Sequence, residues 1–276
     1  HLQAFIINDG VVFRKLEQKL IAKHEAGVEI IISTDYAGNI QTKDSTYSRL
    51  IEAGIDFKIF NKGYPPLQSG RGNHRNHDKI IVIDNKVAFF GGMNIGDDYA
   101  GMYSKYGHWN DLQFKITGPL VSDLDKKFII NWYENAGELI EPPKMAAPTG
   151  TISSEVIVDI PFTEEKTFLD RLIFKIDNAK TEINLVSPYL VPPHKLTMAL
   201  VEARLRGVVV NIITTGRADK KSAYGILKMY AEKYTSYGIN VMQLDNIFMH
   251  SKFYLIDDEI TIIGTRFYFQ LKFKPF

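Results

Sequence analysis

Cysteine is absent from the 276 residues, which excludes disulfides, thiolate nucleophiles and cysteine metal sites while leaving the compartment open. No apolar run approaches the roughly 18 residues of a membrane span, and no charged–apolar–small signal peptide is present. A dominant charge is missing too. With 33 basic against 32 acidic residues and a net charge of +1, nothing global draws the chain to nucleic acid or an anionic surface, so anion binding must come from placed residues. An initiator methionine is also lacking: the chain opens on His1 and enters strand-like residues at once. An upstream segment, and any targeting signal it carried, is therefore expected to have been removed. What remains is 45% hydrophobic, enough for one large core or two smaller ones.

The first half alternates strand and helix: strand from Leu2 to Ile7, helix from Val11 to His24, strand from Val28 to Ser33, helix from Thr46 to Ala53, strand from Ile55 to Phe60. The runs "GVEIIIS" and "GIDFKIF" are short, β-branched and preceded by glycine, as suits helix ends feeding buried parallel strands. Lys79 to Ile83 and Val87 to Phe90 read as a hairpin turned at Asp84, Asn85 and Lys86.

The plan then repeats. "GVVVNIITT" answers "GVEIIIST", "YGINVMQL" answers "AGIDFKIF", and "HSKFYLIDDEITIIGT" answers "HDKIIVIDNKVAFFGG". Two long units indicate a duplicated domain rather than a solenoid. The proline- and glycine-rich stretch "GELIEPPKMAAPTGT" reads as the linker, placing the halves at 1–146 and 147–276.

Within the repeat, His77, Lys79, Asp84 and Gly91 match His250, Lys252, Asp257 and Gly264 with identical spacing. In an extended chain, residues i and i+2 share a face, so each histidine and its lysine can touch one phosphate. Gly92 and Asn94 could add an N–H and an amide. A pair of merely structural histidines is the bland alternative, and the doubled register argues against it. His74 and His77 stand at i and i+3, a metal-pair spacing, but Arg75 lies between them and no acidic partner follows. Ser251 beside His250 makes no triad, because adjacent strand residues point to opposite faces.

Both copies resemble the H-x-K-x-x-x-x-D motif of the phospholipase D superfamily. "NHRNHDKIIVIDNKVAFFGGMNIGDDYAG", "WNDLQFKITGP", "VSPYLVPP" and "MHSKFYLIDDEITIIGT" resemble the bacterial cardiolipin synthases more specifically. The resemblance implies an α/β fold of two pseudo-symmetric phospholipase-D-like halves, each a mixed sheet flanked by helices, with a single active site at their interface. It implies phosphatidyl transfer through a phosphohistidine, joining two phosphatidylglycerols into cardiolipin, with no cofactor and no metal. His77 would be the nucleophile and His250 the acid/base. Lys79 and Lys252 would clamp phosphate oxygens, with Gly92, Asn94 and Thr265 completing the cradle. Asp84 and Asp257 belong to the catalytic motif, and Asp111 would orient His250.

Expected partners are a phospholipid and a membrane surface, in bacteria the cytoplasmic membrane, and not nucleic acid. Alternatives are a phospholipase D hydrolase, a superfamily nuclease or a catalytically inactive lipid-binding homologue. One departure stands out: the family's second asparagine is absent, since Gly264 and Thr265 run directly into "RFYFQLKFKPF". Residues omitted after Thr265 would account for it.

Overall fold

Apolar, β-branched runs become strands wherever both faces of a sheet are covered, and the first half shows this. A computed structural model describes residues 1–63, 74–103, 107–142, 144–145, 147–148, 150–158, 167–217 and 221–264. Its first unit comprises His1–Met102 and Gln113–Val156, and its second Tyr103–Leu112 and Ile157–Phe276.

In the first unit, β1 (Leu2–Ala4), α1 (Val11–Glu25), β2 (Ile31–Asp35), α2 (Ser48–Glu52) and β3 (Asp56–Phe60) precede the hairpin of β4 (Ile80–Ile83) and β5 (Val87–Gly91). The next strand, β6 (His108–Asn110), belongs to the second unit, and β7 (Gln113–Thr117) and α3 (Leu120–Ala136) complete the first. The sheet runs β3-β2-β1-β4-β5-β7. Pairing is parallel among β1, β2 and β3 and antiparallel from β1 through β4 and β5 to β7. Phe13, Tyr47 and Leu50 pack with Leu2, Ala4 and Ile32 in one core. Phe128, Trp132 and Ile31 form another, and Val121 and Leu124 join Ile80 and Val82 in a third. Ile31 and Ile32 thus serve different cores, as period-two alternation requires.

The second unit contains α4 (Thr167–Asp177), β8 (Glu182–Val186), α5 (His194–Leu205), β9 (Val209–Thr215), α6 (Lys221–Ser236), β10 (Asn240–Leu244), β11 (Ile247–Met249), β12 (Phe253–Ile256) and β13 (Ile260–Ile263). Its main sheet is ordered β10-β9-β8-β12-β13. All three helices contribute to one core with Ile183, Leu185, Val210, Ile212 and Tyr254. A separate ribbon pairs β11 with β6 in parallel.

Strand for strand the sheets match in order and direction, apart from the additional β7. The hairpin turns match as well. Asp84 and Asn85 have positive φ, as do Asp257 and Asp258, and Lys86 and Glu259 each donate back to the carbonyl three residues earlier. Positive φ at both central residues is what a tight turn needs to follow the strands' twist.

Several expected bounds shift: β1 ends at Ala4 rather than Ile7, and β2 spans Ile31–Asp35 rather than Val28–Ser33. The helix expected at Thr46–Ala53 begins as a 3-10 turn over Asp44–Tyr47 before α2. The division also differs from 1–146 and 147–276: residues 103–112 leave the first half to join the second unit, because β6 finds its partner in β11.

Candidate active-site residues

In the first unit, Lys79 immediately precedes β4 and its side chain folds back over His77. Its ammonium lies 3.1 Å from Nδ1 and 3.5 Å from Nε2 of the ring and donates to the His77 carbonyl at 2.7 Å. The Phe5 ring packs against both, 4.5 Å from the imidazole centroid, with the Lys79 ammonium 5.3 Å from its own. Lys79 is only 2% exposed. A charge so enclosed persists because it is bonded and faces a π system.

Phe5 is held from both flanks. Asn39 receives the Ile7 N–H at 2.9 Å and donates to the Phe5 carbonyl at 3.0 Å. Asn94 accepts the Ile6 N–H through Oδ1 at 3.0 Å. That bond spends the amide oxygen of Asn94, so its NH₂ is the end suited to an anion. Gly92 lies buried just beyond β5.

The second motif repeats the arrangement around different support. Lys252, 7% exposed, donates to the His250 carbonyl. The His250 Nδ1 meets Asp111 Oδ2 at 2.6 Å. A carboxylate can only accept, so Nδ1 carries the proton and a neutral ring keeps its lone pair on Nε2. Burial alone would raise the Asp111 carboxyl, but the hydrogen bond and charge of His250, with Lys252 and the Leu112 N–H, outweigh it and hold the group below the usual range.

Asp111 reaches His250 because the β6–β11 ribbon delivers it: the His250 N–H donates to the Asn110 carbonyl at 2.7 Å. Trp109 lies 4.9 Å from the His250 ring and 4.7 Å from Phe248. Ser251 is turned to Asn110.

Asp84 and Asp257 lie apart from the histidines. Both occupy hairpin turns at the far end of the strands that follow the histidines. Four strand residues at about 3.3 Å each set each aspartate roughly 13 Å or more from its motif's start, beyond hydrogen-bond reach. Asp257 accepts the N–H groups of Lys180, Thr181 and Glu182 at 2.8, 2.8 and 3.1 Å and the Thr181 hydroxyl at 2.8 Å, tying the start of β8 to the turn. Thr265 and the departure that follows it lie outside the described residues.

Phe5, Asn39 and Trp109 went unread in the sequence as neighbours of the motifs. Each comes from a different element, and no local spacing links it to a histidine.

Comparisons with known proteins agree with the geometry. A family model described as cardiolipin synthase, PLD-like domain, matches residues 2–128 and 172–266. The cardiolipin synthase of Clostridium perfringens (strain SM101 / Type A) is 34% identical over 275 residues, covering 96% of this chain and 57% of that protein. The major cardiolipin synthase of Bacillus subtilis (strain 168) is 30% identical over 270 residues, covering 96% and 56%. The chain thus spans little more than half the length of these relatives.

Among solved structures, phosphatidylserine synthase from Haemophilus influenzae Rd KW20 aligns with TM-score 0.64 at 14% identity, covering 93% of this chain and 70% of that one. Polyphosphate kinase from Porphyromonas gingivalis aligns with TM-score 0.59 at 15% identity, covering 96% and 40%. At these identities the two structures speak to the fold alone, which hosts more than one reaction.

Proposed function

Because the chain belongs to the cardiolipin synthase family of phospholipase-D-like proteins, we propose that it is a phosphatidyltransferase that joins two phosphatidylglycerols into cardiolipin and releases glycerol. The observation that carries this reading is the contrast between two equally mounted histidines. Lys79 brings positive charge against the His77 ring, whereas Asp111 brings negative charge against His250. The first setting suits a neutral nucleophile and the second a ring that must carry a proton.

His77 attacks phosphorus in the first lipid, and a phosphorus–nitrogen bond forms as the glycerol oxygen leaves with a proton from His250. His250 then takes the proton from a headgroup hydroxyl of the second lipid, whose oxygen displaces His77. Atoms and charge balance over the two steps. Lys79, Lys252, the Asn94 amide NH₂ and the Gly92 N–H supply positive ends for the phosphate oxygens as charge develops on them. Acid–base help gives roughly 10²–10⁴-fold, so covalent attack and positioning must contribute the remainder.

The substrate places the reaction at a membrane surface in bacteria. Among the described residues no helix is long and apolar enough to cross a bilayer.

The test is incubation with phosphatidylglycerol vesicles across pH 5 to 9, with products resolved by mass. Cardiolipin and glycerol in a bell-shaped profile, with a covalent adduct lost in His77→Ala, are the expected results. Phosphatidic acid alone would make water the acceptor, and an adduct persisting without His77 would reverse the two roles.

A further inference from the structure

The backbone on either side of His77 is tied into buried polar groups, and those ties converge on a residue that no motif contains. We propose that Asp35 is a positioning residue for His77, setting through the backbone the direction from which the nucleophile faces phosphorus. The proposal rests on the reading of His77 as that nucleophile.

Asp35 ends β2 and is fully buried, at 0% exposure. Its Oδ1 accepts the Ala37 N–H at 2.7 Å and lies 3.3 Å from Arg75 Nη1, while Oδ2 accepts the Asn76 N–H at 2.8 Å. The last two partners stand immediately before His77. Asn76 passes the restraint on: its Oδ1 takes the Gln3 amide at 2.5 Å and the Asp78 N–H at 3.2 Å. Asn131 of α3 closes the network, donating to Gln3 Oε1 and Asp78 Oδ2 at 3.1 Å each. Both neighbours of His77 are thereby anchored, while its ring faces Phe5 and Lys79.

A buried carboxylate is an expensive way to hold a loop if shape alone mattered, because burial disfavours the charged form. Here burial does push the Asp35 carboxyl upward, and the Asn76 and Ala37 N–H groups and Arg75 oppose that push. The second unit manages without such a carboxylate. Ser33 pairs with Gln3 and Gln3 with Ile80, as Ile213 pairs with Val186 and Val186 with Phe253. The position matching Asp35 is therefore Thr215, whose hydroxyl bonds the carbonyls of Arg217 and Ile247. There the carboxylate, Asp111, bonds the histidine's ring, while the backbone N–H goes to the Asn110 carbonyl. In the first unit the hold is on the backbone, and charge is needed to bind two N–H groups and a guanidinium at once.

The amide of Asp35→Asn keeps the size of the side chain but cannot accept at both ends. In single-turnover reactions of the full chain with phosphatidylglycerol in mixed micelles, the rate constant of phosphohistidine formation is expected to fall about 10- to 100-fold, the cost of a slightly misaimed reactant. The rate of resolution and the affinity for the lipid should stay as in wild type, and the adduct level should fall only as far as slower formation dictates. An unchanged rate constant, or a fall in amplitude alone, would reduce Asp35 to a fold residue and overturn the proposal.

A second readout needs no turnover: the His77 ring resonance and the amide protection of Asn76 should change in Asp35→Asn while the His250 resonance does not. If the wild type forms no adduct, the functional reading fails, and this measurement alone decides whether Asp35 orients His77. Unchanged His77 and Asn76 signals would overturn the proposal. Should Asp35→Asn fail to fold, Arg75→Gln, which spares the carboxylate, must move the same signals in the same direction, and no movement would overturn it.

Discussion

Asp257 shows how a motif residue can matter without touching the reaction. The Thr181, Lys180 and Glu182 N–H groups, in that order, hold its carboxyl well below the ordinary range. A carboxyl depressed by folding contributes stability that is full above its unfolded pKa, near 3.9, and is lost as pH falls toward the folded value. Asp257→Asn should therefore cost on the order of 1 kcal/mol at neutral pH, and the cost should shrink steadily below about pH 4. Urea midpoints of both proteins at pH 7 and pH 3 check this, and a penalty independent of pH would show that shape rather than charge is involved. Asp111 is also held low, yet its bonds run to an imidazole. Two aspartates that are both held low thus serve different ends, which only their partners distinguish.

Helix α1 depends on a residue far along the chain. It has no side-chain cap of its own, and its first N–H groups, from Val11 and Val12, are taken by the two oxygens of Asp97 at 2.9 and 2.8 Å. Gly10 is required beside it: φ is +154°, and a Cβ there would meet the Asp97 carboxylate at 2.5 Å. Removing the cap in Asp97→Ala should cost about 1–2 kcal/mol, seen as an earlier thermal melt, with the helical signal otherwise retained. Such links also mark what the sequence could not disclose. Strand β2 was legible because burial on both faces demands an apolar run, β3 and β9 were legible through apolar runs led by glycine, and α1 was legible as the helical segment between β1 and β2. The ties from Asp97 to α1 and from Asp35 to Asn76 were not, since they join residues far apart and leave no period behind. Asp111 was found only through resemblance, because its spacing to His250 has no local meaning.

The whole chain cannot be divided where its linker suggests. Residues 103–112 carry β6 and Asp111 out of the first half, so a fragment covering 147–276 would lack the strand that pairs with β11 and the carboxylate that holds His250. Made alone, that fragment should lose the downfield Nδ1 proton signal of His250, and adding residues 1–146 should restore it. A signal retained in the isolated fragment would show that the ring is held by something else. The lysines behave in the opposite way. Each folds back on the carbonyl of its own histidine, within three consecutive residues. In terms of descent, such a device is heritable in one piece: whatever event copies the strand copies a finished pair, owing nothing to the rest of the ancestor. Its supports are not carried along with it, and in this chain they differ from one unit to the other.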